Sequence, residues 1–306
     1  MTNFLHIGLF YGDRREYLDG TMEYIRAGVS AGEPVMVAVP TDNLKVLRGE
    51  LGELDGDAVR TFDMTIAGRN PGRILPAVLL AFADAHPGRR VRIVGEPIWA
   101  GRSVHEYPAC VQHEALINAA FADREASILC PYDVATLPQI ALDDARRTHP
   151  VLEAFGRRTG SSDYADPLAL AAEFNAPLPP RPPDAGSRAV GREDLPMLRA
   201  FVAAEGASAG LSAARIADLV LAVNELATNT IVHAGATGSV ALWAEGGQIV
   251  CEVGDEGRLD DPLAGRLRVP VDQPGGRGLV LVQQVCDLVR VYAGPDGTTI
   301  RIYIGR

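Results

Sequence analysis

Glu225, Asn229 and His233 recur every four residues, so on an α-helix they share one face. A carboxylate, a carboxamide and an imidazole in that row are chemically complementary. The amide oxygen can ligate a divalent cation, and the carboxylate can orient or deprotonate a hydroxyl or water. Taken alone, the row reads equally well as a solvated polar face. Two further elements follow in order. Asp255 and Gly257 stand where a strand-like run ends. A carboxylate there can accept from an exocyclic amine, and the glycine lets a flat ring approach the backbone. The turn Gly275-Gly276-Arg277-Gly278-Leu279 then opens an apolar run. A glycine-rich turn at a helix N-terminus presents free N–H groups, with the helix dipole favouring phosphate.

The elements that must hold these groups are legible around them. Ile216, Leu219, Val220, Val223, Leu226 and Ala227 have helical spacing opposite the polar row, which predicts a helix packed on a core. Residues 248–254 read as a strand and residues 280–285 as the helix after the glycines. Residues 288–292 and 298–304, on either side of a Pro-Asp-Gly turn, predict a closing hairpin.

On these motifs, residues 189–306 resemble the ATP-binding domain shared by type II topoisomerases, Hsp90-type chaperones, histidine kinases and anti-sigma-factor serine kinases (the GHKL superfamily). Glu225-x-x-x-Asn229 resembles its N box, Asp255-x-Gly257 its first glycine box, and Gly276-x-Gly278-Leu279 its second. The resemblance implies an α/β sandwich of the Bergerat type. It also implies Mg²⁺ on Asn229, the adenine amine on Asp255 with Gly257 beside it, and phosphates over Gly276, Arg277, Gly278 and Leu279. Thr298 falls near adenine, His233 near the phosphates, and Glu225 in the general-base position. The short N box is most similar to that of the anti-sigma serine kinases. Leu259 stands where the first glycine box carries a second glycine, so the lid, residues 258–275, is expected to fold differently.

The first half alternates strand-like runs, at residues 4–11, 34–40, 59–63, 91–95 and 127–131, with helical stretches such as 15–31 and 74–85. Such alternation predicts a mostly parallel sheet covered by helices. The turn after the first run, Gly12-Asp13-Arg14-Arg15-Glu16-Tyr17, has neither the glycines nor the lysine of a phosphate cradle. The phrases Gly95-Glu96-Pro97-Ile98-Trp99, His113-Glu114-Ala115-Leu116-Ile117-Asn118 and Leu129-Cys130-Pro131-Tyr132-Asp133 resemble the sensory (MEDS) domain of methanogen and methylotroph regulators. That resemblance covers residues 1–160 and implies a RecA-like sheet without its P-loop. His6, His113, Glu96, Glu114 and Cys130 could line a pocket at the strand ends, though satisfied structural polar groups are the preferred reading.

Residues 161–188 are expected to be a linker. Its proline run, with Pro177, Pro179, Pro180, Pro182 and Pro183, favours an extended semi-rigid spacer. A net charge of −10 argues against nucleic-acid binding. The chain has no apolar run near the ~18 residues of a membrane span and no secretory signal layout. Its four dispersed cysteines read as reduced thiols of a cytoplasmic protein. The resemblances imply a signalling regulator in which a sensory domain controls an Mg-ATP-dependent serine kinase. Its partners would be a sigma factor, an anti-sigma antagonist, or both, and a homodimer is among the implied assemblies. An ATP-gated binding module without phosphoryl transfer is the alternative. A histidine kinase fits less well, because Pro150 disfavours helix at His149 and no paired-helix dimerisation region is evident.

Overall fold

The computed structural model describes residues 4–54, 56, 58–234, 238–269 and 276–305. It divides between Phe174 and Asn175 into two compact units.

The first unit runs β1 (Phe4–Tyr11), α1 (Arg14–Ser30), β2 (Val35–Val39), α2 (Thr41–Leu51), β3 (Val59–Asp63), α3 (Met64–Ala67), α4 (Pro71–Ile74), α5 (Leu80–Asp84), β4 (Val91–Gly95), α6 (Tyr107–Ala120), β5 (Ala126–Asp133), α7 (Gln139–Thr148), β6 (Val151–Ala154), β7 (Arg157–Gly160) and α8 (Pro167–Glu173). Its strands form one sheet in the order β3-β2-β4-β5-β1-β6-β7. All pairings are parallel except β6 with β7. The expected parallel sheet is therefore present, and the β6–β7 hairpin was not foreseen. Residues 74–85 are not one continuous helix. A π-helical turn, Leu75–Leu79, interrupts it, because Pro76 has no N–H and its ring crowds the preceding turn.

The turn after β1 closes on itself. Asp13 caps α1 by accepting from the Glu16 N–H at 2.9 Å, and Glu16 Oε2 accepts from the Gly12 N–H at 2.7 Å. Two carboxylates thus occupy the helix N-terminus where a phosphate would sit.

The second unit contains β8 (Ser187–Val190), α9 (Leu195–Ser208), α10 (Ala213–Asn229), β9 (Gly238–Glu245), β10 (Gln248–Asp255), α11 (Gly278–Val285), β11 (Leu288–Gly294) and β12 (Gly297–Gly305). The sheet order is β11-β12-β10-β9-β8, wholly antiparallel. Strand alternation sends Val240, Ile249, Cys251, Val253, Ile302 and Ile304 to one face. There they pack with Leu219, Val223 and Leu226 of α10 and Val282 of α11. Ser212 starts α10 by accepting from the Arg215 N–H at 3.3 Å. All four cysteines are buried and none forms a disulfide.

The opposite face is covered by the proline-rich segment, which is no free spacer. Ala185 packs with Ala241, Trp243, Val250 and Tyr303. Arg301 donates to the Pro179 carbonyl at 2.7 Å. The Asn175 amide both donates to the Ala293 carbonyl (2.8 Å) and accepts from its N–H (2.9 Å). The segment expected as linker is thus split. Its α8 packs against α6 of the first unit, and its proline run straps the sheet of the second.

Candidate functional site

The end of α10, the end of β10, the start of β12 and the start of α11 converge on a cavity of about 470 Å³. Antiparallel pairing of β10 with β12 sets Asp255 beside Thr298. Asp255 Oδ2 accepts from the Thr230 hydroxyl at 2.6 Å, and Oδ1 accepts from the Gly257 N–H at 2.8 Å. Each carboxylate oxygen keeps a second lone pair for a ligand donor. Asn229, Asp255, Gly257, Gly276, Gly278, Leu279 and Thr298 all line this cavity.

Gly278, the first residue of α11, has to be small. A Cβ there would lie 2.8 Å from Glu225 Oε2 and 3.3 Å from the Asn229 amide nitrogen. The bare Cα lets the first amides of α11 sit beside the polar face of α10. A cavity of this size, with helix N–H groups at one end and a carboxylate at the other, fits a nucleotide. The Asn229 amide oxygen, beside those amides, is a hard oxygen donor suited to Mg²⁺.

Two expected residues, Glu225 and Arg277, do not line the cavity. Glu225 lies against Gly278. Arg277 is exposed at the cap of α11. The α-helix ends at Asn229 and continues as a π-helical turn, Thr230–Ala234, so His233 departs from the α-helical phase of the row. Its side chain, like Gly275, falls outside the described residues.

Thr298 is 7% exposed. Its hydroxyl donates to the Gly257 carbonyl at 2.7 Å and accepts from the Leu259 N–H at 3.1 Å. It therefore shapes the loop after Asp255 rather than offering its proton to a base. Leu259 lines the cavity with an ordinary negative φ, so a side chain is tolerated where a glycine was expected. The lid continues through a turn over residues 261–266, in which Asp261 accepts from the Leu263 N–H at 2.8 Å, and residues 270–275 lie outside the described residues. Gly297 sits at φ +132°, where a Cβ would meet the Asp255 carbonyl oxygen. Thr230, which holds Asp255, is the contact that the sequence reading missed. A hydroxyl one residue after the Asn229 position is the only local signal, and its partner lies in another strand.

In the first unit the expected pocket residues separate. Glu96 follows β4 and accepts from Asn43 Nδ2 at 2.9 Å on both oxygens. Burial above all pushes its carboxyl up to about 8. His6, Glu114 and Cys130 lie together deeper in the unit, joined by His149. His149 is fully buried, which removes it as a phosphoryl acceptor. Among the described residues no helix is long and apolar enough to cross a membrane.

Comparison with known families agrees with both halves. Residues 5–150 match the methanogen/methylotroph, DcmR sensory (MEDS) domain. Residues 191–304 match the histidine kinase-like ATPase domain. No curated protein matches the chain. Among solved structures, the RsbU and RsbW domains of a Mycobacterium tuberculosis protein match at 22% identity with a TM-score of 0.30. That match covers 40% of this chain and 33% of the other, so this chain spans about a third of that protein's length.

Proposed function

We propose that this chain, which joins a MEDS sensory domain to a histidine kinase-like ATPase domain, is a signalling regulator of the anti-sigma serine kinase type. The carrying observation is the single cavity lined by Asn229, Asp255, Gly276, Gly278, Leu279 and Thr298. Asp255 would accept from the adenine amine and the α11 amides would hold the phosphates. Mg²⁺ on Asn229 would neutralise phosphate charge. Glu225 would orient the incoming serine hydroxyl and take its proton. Thr230 and Thr298 position the adenine end through Asp255 and the loop after it. Partners would be an anti-sigma antagonist bearing the serine, a sigma factor, or both, with the first unit modulating that exchange.

One observation favours a second reading, an ATP-gated binding module. Glu225 lies behind Gly278 rather than along the cavity, whereas a general base must reach its hydroxyl. The two readings separate on one experiment with the full chain: ATP titration with and without Mg²⁺, then a test for phosphoserine on candidate antagonists. Mg-dependent binding with phosphoserine supports the kinase, and binding alone supports the module. Absence of nucleotide binding overturns both.

A further inference from the structure

Four side chains from separate segments of the first unit meet in its interior: His6 on β1, Glu114 on α6, Cys130 on β5 and His149 just after α7. They are 0%, 0%, 1% and 0% exposed, and their ligand atoms all lie within 4.8 Å of one another. His6 Nε2 is 3.3 Å from Glu114 Oε2, His149 Nε2 is 3.2 Å from the same oxygen, and Cys130 Sγ is 3.4 Å from His6 Nε2. Yet neither Glu114 oxygen nor His149 Nε2 forms a hydrogen bond. Only the Cys130 thiol and His6 Nε2 are hydrogen-bonded to each other. A buried carboxylate left without such a bond is costly.

The outer partners of the histidines explain which nitrogens face inward. His149 Nδ1 lies 2.8 Å from the Ala145 carbonyl, which can only accept, so Nδ1 carries the proton. His6 Nδ1 lies 3.2 Å from Asn118 Oδ1. The orientation of that amide is set by Asn118 Nδ2, which donates to the Thr148 carbonyl at 2.8 Å. With Nδ1 holding the proton of a neutral ring, each Nε2 lone pair faces the Glu114 carboxylate and the Cys130 sulfur. Two lone pairs, a carboxylate and a thiol facing one point lack the positive charge that would reconcile them. Histidines held by an outer acceptor with Nε2 free are the arrangement metal ligation requires.

We infer that His6 Nε2, Glu114 Oε2, Cys130 Sγ and His149 Nε2 form a closed four-ligand site for a divalent transition metal of the zinc class. Tetrahedral zinc, with bonds of about 2.0–2.3 Å, holds its ligand atoms roughly 3.3–3.8 Å apart. The three short separations above, at 3.2–3.4 Å, lie at the lower end of those edges, and the remaining pairs lie within 4.8 Å. Imidazole, thiolate and carboxylate together suit zinc or iron(II) rather than magnesium or calcium. Binding releases the Cys130 proton, and the thiolate and Glu114 balance the two charges of the ion. With all four positions supplied by protein and no exposure, the site is of the structural kind. It would pin α6 and the end of α7 to the two central strands. This site is independent of the nucleotide reading of the second unit.

The test uses the full-length chain produced in medium supplemented with Zn²⁺ or with Co²⁺ alone. One metal ion per chain is expected. The cobalt form should show tetrahedral ligand-field bands and a thiolate-to-cobalt charge-transfer band. Cys130→Ser should abolish the charge-transfer band, whereas Cys110→Ser, on α6 outside the cluster, should retain it. If Cys130→Ser does not fold, Asn118→Ala decides, because it removes the outer partner of His6 while leaving all four ligands in place and should weaken metal affinity on the order of 10- to 100-fold. Folded protein with metal well below one per chain in both media overturns the proposal. So does a charge-transfer band that survives Cys130→Ser, or an Asn118→Ala variant of unchanged affinity.

Discussion

The Thr230 hydroxyl donates to Asp255 Oδ2 at 2.6 Å, tying the last turn after α10 to the end of β10. Thr230 is 3% exposed, so this buried bond fixes the carboxylate in the cavity wall. Thr230→Val should weaken ATP binding by about 1 kcal/mol, and Thr230→Ser should restore it. Asp255→Ala should cost about 1–3 kcal/mol. Isothermal titration of the full chain measures all three. Wild-type affinity in Asp255→Ala would show that adenine lies elsewhere.

Glu225 and Asn229 should separate chemistry from binding. Asn229→Ala is expected to reduce the Mg²⁺ dependence of nucleotide affinity. Glu225→Gln should leave affinity nearly intact while cutting serine phosphorylation on the order of 10²-fold or more. Equal phosphorylation by Glu225→Gln and wild type would remove Glu225 from the base position.

The strap over the outer sheet face predicts where the second unit can be cut. Asn175 makes two hydrogen bonds to Ala293, and Ala185 closes the apolar patch around Trp243. A fragment of residues 175–306 should be more stable than one of 187–306. Asn175→Ala in the longer fragment should cost about 1–2 kcal/mol. Urea denaturation compares them, and identical midpoints would show that the strap contributes nothing.

Glu96 gives the first unit a pH dependence. Its carboxyl, 3% exposed, is raised from 4.5 to about 8, by burial first and by Asp133 in addition, against the opposing hydrogen bonds from Asn43. Between those values the folded state holds a proton that the unfolded chain has released. The stabilisation is therefore complete below about pH 4.5 and lost as pH rises through about 8. Unfolding free energy should fall by a few kcal/mol from pH 5 to pH 8, and Glu96→Gln should flatten that slope. A slope of the same size in Glu96→Gln would assign it to another group.

Much of this protein is written in local order. The apolar positions from Leu219 to Ala227 carry helical spacing, the run at residues 248–254 ends in Asp255, and the glycines before Leu279 mark a helix start. Each signal needs only neighbours a turn or a strand away, so the α/β order of both units was legible. Tertiary structure decided which side chains meet. Asp255 finds Thr230 because β10 returns along β9 to the end of α10, a relation with no sequence periodicity. Thr298 turns to the loop rather than a ligand because the register of β10 with β12 sets its hydroxyl under Gly257. The proline run looks like a spacer until Trp243, Val250 and Tyr303 offer it an apolar face. His6 and Cys130 stand 124 residues apart and lie on adjacent strands. Strand order and register bring them to Glu114 and His149, so their convergence is a property of the folded sheet alone.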